Sequence, residues 1–103
     1  MKILCVCEWG NNRSVTMAFL LKYVEGFETL TAGLMYNSPE TLDMLYNWAD
    51  KIVVPEDTLL EFIPEKYKEK IKFYNIGKDI YPRRFNQVLF YKAKALMEAD
   101  PIK

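Results

Sequence analysis

Residues 3–21 read ILCVCEWGNNRSVTMAFLL, and this stretch decides the expected fold. Residues 3–7 are an unbroken apolar run, which is typical of a strand covered on both faces of a parallel sheet. Residues 8–13 interrupt the run with polar and turn-forming residues. From Ser14 to Glu25 apolar residues recur at helical spacing, and Gly26 is a suitable helix stop. The stretch therefore predicts a strand, a polar loop and a helix in direct succession.

Further strands and helices alternate along the rest of the chain. The Ser38-Pro39 pair predicts an N-cap followed by proline at the first helical position. Pro64 divides the helix-prone residues 56–70 into two short pieces, and a closing helix begins at Phe85 and ends before Pro101. The remaining strands are expected at residues 28–32, 51–54 and 71–76. This alternation predicts an α/β fold with one domain spanning residues 1–103, in which an open sheet of four parallel strands lies between helices on both faces, in three layers.

Composition excludes several classes of function. The chain has 103 residues, half of them apolar and 27% charged, with 14 basic and 14 acidic side chains. Zero net charge gives no reason to expect a nucleic-acid or membrane-surface partner. The chain contains no histidine, so Ser-His-Asp triads, Cys-His pairs and histidine-ligated metals are excluded. Its two cysteines are too few for a structural zinc or a disulfide framework, so reduced thiols and a cytoplasmic location are expected. No residue run suggests a secretory signal or a membrane span.

The polar loop, residues 7–14, contains the groups expected of a phosphate-binding site. It begins at Cys7, the last residue of the first predicted strand, at the sheet edge where open parallel sheets bind ligands. Backbone N–H groups and the helix dipole form an anion cradle there, and the Arg13 guanidinium matches phosphate oxygens. The same positive field favours a thiolate at Cys7 and replaces a histidine base. The expected phosphate-binding residues are Glu8, Trp9, Gly10, Asn11, Asn12, Arg13 and Ser14.

The sequence resembles a known family at this point. Residues 3–21 are similar to the N-terminal signature of low-molecular-weight protein tyrosine phosphatases, Val-x-Phe-Val-Cys-x5-Arg-Ser followed by a helix, and especially to the small predicted phosphatases of that superfamily. Residues 31–34 (TAGL) match the family's Ser-Ala-Gly-Leu, and residues 48–54 (WADKIVV) match Trp-Ala-Asp-x-Ile-x-Val. Residues 75–79 (NIGKD) occupy the place of Asp-Ile-Pro-Asp-Asp in the small members.

The resemblance implies a strand order of 2-1-3-4 and hydrolysis of a phosphomonoester, with phosphotyrosine as the substrate class. Cys7 would attack phosphorus and form a cysteinyl-phosphate, Arg13 would hold the phosphoryl oxygens, and Asp79 would protonate the leaving group. The family needs no metal and no cofactor. The partner is then a phosphorylated protein or a small phosphomonoester, and the chain a monomer or weak homo-oligomer. Glu56 and Asp57, which also lie near a strand end, are alternative acids.

The loop departs from the family pattern in one respect. The family usually carries Gly-Asn at the third and fourth loop residues, whereas Gly10-Asn11 is displaced here by one position. The asparagine that braces the loop is therefore either Asn11 or Asn12. The order Cys-x-x-Gly-x-x-Arg-Ser is similar to that of the larger tyrosine and dual-specificity phosphatases.

Trp9 is expected either to wall the substrate pocket, where its ring would stack on an aromatic substrate, or to pack against a neighbouring loop. Tyr81 follows the acid loop, where the resemblance to full-length family members implies an aromatic wall of the same pocket, and Tyr36 is a further candidate. Glu8 is either a solvated loop residue or a rim residue that would repel acidic substrates or attract a basic flank. A phosphate- or phosphopeptide-binding module with weak turnover is an alternative function. A thiol-dependent arsenate reductase is a further one, although only Cys5 is available as a second cysteine.

Overall fold

The computed structural model describes residues 1–102 and has the expected alternation of strands and helices. The strands are β1 (Lys2–Cys7), β2 (Glu28–Gly33), β3 (Lys51–Val54) and β4 (Ile71–Phe73). The α-helices are α1 (Arg13–Tyr23), α2 (Pro39–Trp48) and α3 (Gln87–Ala99). Two 3-10 helices, Asp57–Phe62 and Glu65–Lys70, connect β3 to β4 on either side of Pro64.

The four strands form one parallel sheet in the order β2-β1-β3-β4, which confirms the predicted topology. In the register, Cys7 lies opposite Gly33 of β2, and Cys5 lies opposite Val53 of β3. Because all strands run the same way, their carboxyl ends share one edge of the sheet. The loop after Cys7 therefore lies beside the ends of both neighbouring strands.

Both faces of the sheet are covered, and β1 contributes to both cores. Ile3 and Cys5 pack with α1 and α3 on one face, whereas Leu4 and Val6 pack with α2 and the 3-10 helices on the other. All four side chains have no exposed surface. An unbroken apolar run is what such a central strand requires, which is why residues 3–7 show no polar alternation.

The ends of some elements differ from the sequence prediction for local reasons. Strand β4 ends at Phe73, not at residue 76, because the Ile76 N–H turns back to the Tyr74 carbonyl (2.7 Å) and leaves the ladder. Helix α3 begins at Gln87, not at Phe85. Phe85 has a left-handed backbone (φ 58°), and the Asn86 side chain caps the helix by accepting from two backbone N–H groups.

The predicted cap of α2 is confirmed, since Ser38 Oγ accepts a hydrogen bond from the Thr41 N–H (3.2 Å) and Pro39 is the first helical residue. Among residues 1–102, no helix combines the length and the apolar character needed to cross a membrane.

Candidate active site

The loop between β1 and α1 surrounds the Cys7 sulfur with hydrogen-bonding groups. The Gly10 N–H donates to Cys7 Sγ (3.2 Å), and Sγ and Ser14 Oγ are hydrogen bonded at 3.2 Å. Cys7 and Ser14 are both buried, and Ser14 lies in the first turn of α1. In the thiolate form of Cys7 the Ser14 hydroxyl becomes the donor. A backbone N–H, a hydroxyl and a helix N-terminus then all stabilise negative charge on the sulfur.

Two glycines bring the loop directly against the end of β2. Gly10 has a positive φ (71°), and a Cβ there would lie 2.6 Å from the Gly33 nitrogen. A Cβ on Gly33 would lie 2.4 Å from the carbonyl carbon and oxygen of Trp9. No side chain fits at either position without moving backbone. The contact is extended by hydrogen bonds from the Leu34 N–H to the Cys7 carbonyl (2.9 Å) and from the Met35 N–H to the Glu8 carbonyl (2.8 Å).

In the sequence, Gly33 stands out only as part of the Thr-Ala-Gly-Leu match. Gly33 lets the loop pack directly against β2, and this contact depends on the strand register that places Gly33 opposite Cys7. No local pattern contains that information.

The Arg13 side chain is hydrogen bonded to residues that follow two other strands, β3 and β4. Arg13 is the first residue of α1 and is 1% exposed. Its Nη1 donates to Glu56 Oε1 (2.7 Å), just beyond β3, and to the Gly77 carbonyl (2.7 Å), beyond β4. The Arg13 Nε–H is also buried and has no partner among the described residues. A buried donor without an acceptor is costly, and an oxyanion held by the loop would supply one.

Glu56 forms the ion pair with Arg13, a role that the sequence did not predict, because Glu56 was expected only as an alternative general acid. A hydrogen bond from the Thr58 hydroxyl and one from Arg13 hold the pKa of Glu56 below its ordinary value. The carboxylate is therefore ionised and neutralises the buried guanidinium. The available signal was its position two residues beyond the end of β3, the strand next to β1.

The two loop asparagines connect the loop to the segment that carries Asp79. Asn12 Nδ2 donates to the Tyr81 carbonyl (2.9 Å), and Asn11 Oδ1 accepts from the Arg84 guanidinium. Asn12 is thus a tether between the two loops. Neither asparagine is hydrogen bonded to the Cys7 sulfur in the way that Gly10 is.

Asp79 is exposed and lines a cleft of about 450 Å³ together with Glu8 and Glu56. Glu8 follows Cys7 directly in the chain, so this cleft opens beside the loop. Asp57, the other alternative acid, is the exposed first residue of a 3-10 helix.

The two aromatic residues expected in the substrate pocket are not together. Trp9 is 54% exposed and lines a separate recess of about 430 Å³, in which Tyr36 is the other aromatic residue. Tyr81 is 8% exposed and packs in the core between the sheet, α1 and α3. The expectation that Tyr81 walls the pocket is thus corrected: its ring packs in the core, where burial of a large ring is favourable, and its backbone carbonyl accepts from Asn12 of the loop.

Cys5 is a free thiol with no exposed surface, and burial raises its pKa. Residues 1–102 contain no group of three or more Cys, Asp or Glu side chains placed to hold a metal ion.

Comparison with known proteins finds the same architecture in solved structures. No protein-family model matches the chain, and no curated protein sequence matches it significantly. Vibrio vulnificus Wzb in complex with benzylphosphonate has a TM-score of 0.66 at 20% identity, over 95% of this chain and 92% of that one. A low molecular weight protein tyrosine phosphatase from Bacillus subtilis has a TM-score of 0.64 at 18% identity, over 95% and 91%. The YwlE arginine phosphatase from Geobacillus stearothermophilus has a TM-score of 0.60 at 19% identity, over 94% and 86%. The chain has the fold of the low-molecular-weight protein tyrosine phosphatases.

Proposed function

We propose that this protein is a cysteine-dependent phosphomonoester hydrolase that acts on phosphotyrosine through a cysteinyl-phosphate on Cys7. One observation carries the proposal. Cys7 Sγ lies at the carboxyl end of a central strand within hydrogen-bond distance of the Gly10 N–H and Ser14 Oγ, in a loop that ends at a buried arginine. The phosphatase fold supports the same reaction class.

The first step transfers the phosphoryl group. The Cys7 thiolate attacks phosphorus, an S–P bond forms, and the P–O bond to the leaving group breaks. The leaving oxygen receives a proton from the Asp79 carboxyl group, so that a neutral phenol departs. Asp79 suits this role because it lines a cleft that opens beside the loop.

The second step releases phosphate. Asp79, now a carboxylate, accepts a proton from water as the water oxygen attacks phosphorus. The S–P bond breaks and its electron pair returns to the Cys7 thiolate. The net reaction consumes one water and yields the phenol and inorganic phosphate, with no change in oxidation state.

Arg13 is the proposed anchor for the phosphoryl oxygens. Its two Nη1 hydrogen bonds, to Glu56 and Gly77, fix the guanidinium before substrate arrives. The unpartnered Nε–H is then available to an equatorial oxygen. A donor fixed in advance does not need to reorganise as charge moves onto these oxygens in the transition state.

Hydrolysis of p-nitrophenyl phosphate and of a phosphotyrosine peptide across pH 5 to 7 tests the proposal. Cys7→Ser should abolish turnover of both substrates. Asp79→Asn should lower turnover of the peptide by about 10²-fold or more, and of p-nitrophenyl phosphate less, because p-nitrophenolate leaves readily without a proton. Asp57→Asn, the same change at an exposed aspartate, is the matched control and should leave both rates unchanged.

Absence of turnover in folded, reduced protein would contradict the proposal. Tight phosphate binding by such a protein would then favour the binding module. Turnover that survives Cys7→Ser would contradict the covalent mechanism itself.

A further inference from the structure

The cleft beside the loop carries more negative than positive charge. Four carboxylates line it, from Glu8, Glu56, Glu61 and Asp79, and Lys78 is its one basic lining residue. We propose that this acidic cleft selects phosphorylated peptides that carry a lysine or arginine next to the phosphorylated residue. The inference rests on the proposed function, and it names the substrate class of the same site.

Two of the four carboxylates are available to a substrate cation. Glu56 is already neutralised by Arg13 at 2.7 Å, and the Lys78 charge also acts on Glu56. Asp79 carries the proton for the leaving group in the proposed first step. Glu8 and Glu61 form no ion pair with any other residue in the described range 1–102. Neither charge is therefore neutralised by an ion pair within the described range.

The cleft also offers apolar surface next to these charges. Met35, Phe62 and Ile80 line it and are 45%, 49% and 77% exposed. Lysine and arginine have long aliphatic stems below a charged head, so a surface that combines apolar walls with carboxylates matches both parts of these side chains. An acidic substrate side chain would be repelled by these carboxylates, and its short aliphatic part would bury little of the apolar surface.

The position of Glu8 limits where the basic residue must lie. Glu8 is covalently next to Cys7, and its carbonyl is hydrogen bonded to the Met35 N–H (2.8 Å). Glu8 therefore brings the wall of the cleft next in the chain to the residue that would carry the phosphoryl group. Apart from Lys78, no basic residue lines this cleft, and Arg84 contacts Asn11, which lines the other recess.

The test compares two phosphotyrosine peptides that are identical except for lysine or glutamate on both sides of the phosphorylated residue. Dissociation constants are measured with the Cys7→Ser variant, and kcat/KM is measured with the active enzyme. We expect the lysine peptide to bind about fivefold or more tightly at low salt, because each exposed charge pair contributes a factor of about two to five. High salt should remove most of the difference.

Variants assign the preference to its residues. Glu8→Gln and Glu61→Gln, each added to Cys7→Ser, should each reduce the ratio of the two dissociation constants by about twofold or more. The ratio is used because any general effect of Glu8→Gln on phosphate binding cancels between the peptides. Glu28→Gln is the matched control: Glu28 is exposed at the start of β2, at the opposite edge of the sheet, and its loss should leave the ratio unchanged.

Equal binding of the two peptides, tighter binding of the glutamate peptide, or a preference that survives both glutamine substitutions would overturn the inference. Hydrolysis of p-nitrophenyl phosphate separates this failure from failure of the proposed function. Hydrolysis without a lysine preference overturns the inference alone. A lysine preference without hydrolysis overturns the proposed function and supports the acidic cleft.

Discussion

Replacing Glu56 by glutamine should destabilise the protein by removing the only charge that compensates a buried guanidinium among the described residues. Arg13 is 1% exposed and Glu56 is 18% exposed at the side chain, and their atoms are 2.7 Å apart. Glutamine keeps the shape and one acceptor oxygen but carries no charge. The substitution therefore isolates the charge of Glu56 from its volume.

The structure sets the size of the expected loss. Breaking a fully buried ion pair costs about 3–5 kcal/mol. The loss is smaller here because Glu56 keeps partial access to water and the Gly77 carbonyl still accepts from Nη1. A hydrogen bond to a charged group contributes about 1.5–3 kcal/mol and a neutral one about 1 kcal/mol. Because glutamine keeps a neutral acceptor, the expected cost of Glu56→Gln is the difference, about 1–2 kcal/mol. In urea this corresponds to a fall in the unfolding midpoint of about 1 M.

The pH dependence gives a second test of the same pair. The pKa of Glu56 is lower in the folded protein than its ordinary value of 4.5, owing to Thr58 and Arg13. Ionisation of Glu56 therefore favours folding, and this contribution is fully present above pH 4.5 and is lost as pH falls below it through the folded value. The difference between wild type and Glu56→Gln should shrink on acidification over that range.

Urea unfolding followed by tryptophan fluorescence, at neutral pH and below pH 4.5, measures both effects. Glu61→Gln is the matched control, since Glu61 lines the same cleft without an ion pair among residues 1–102 and should change the stability by less than about 0.5 kcal/mol. A Glu56→Gln midpoint equal to that of wild type at neutral pH would refute the reasoning.

Two further predictions concern the loop. Gly33→Ala should cost about 2 kcal/mol or more and weaken phosphate binding, because its Cβ would lie 2.4 Å from the Trp9 carbonyl group. Gly26→Ala is the control: Gly26 has φ +77° and open space around it, so the substitution should cost about 1 kcal/mol and leave phosphate binding intact. Equal phosphate affinity of the two variants in isothermal titration would contradict a role of Gly33 in supporting the loop. Iodoacetate should modify Cys7 in the folded protein although Cys7 is only 2% exposed, because the carboxylate of the reagent can bind the proposed phosphate loop beside the sulfur, and phosphate should slow the reaction. Cys5 should stay unmodified until unfolding because it is fully buried and its pKa is raised. Mass mapping of a modified Cys5 in folded protein would contradict this.

Local sequence patterns predicted most of the strands and helices. The apolar run of residues 3–7, the helical spacing that follows it and the Ser38-Pro39 cap each depend on nearest neighbours in the chain, and each is present in the structure. The strand order came from the family resemblance rather than from any single segment. The candidate nucleophile Cys7 and the candidate phosphate ligand Arg13 could also be predicted from local sequence, because the strand, the loop and the helix that carry them are consecutive in the chain.

The partners of those residues were decided only by the tertiary structure. Glu56 meets Arg13 across 43 residues of chain, and Gly33 supports the loop only because β2 pairs with β1 in one register. Tyr81 was expected at the site but packs in the core, where burial of a large ring is favourable. Local sequence determines which elements form and which chemical groups they carry. The distances between those groups follow from how the sheet and its two apolar cores bring distant segments together.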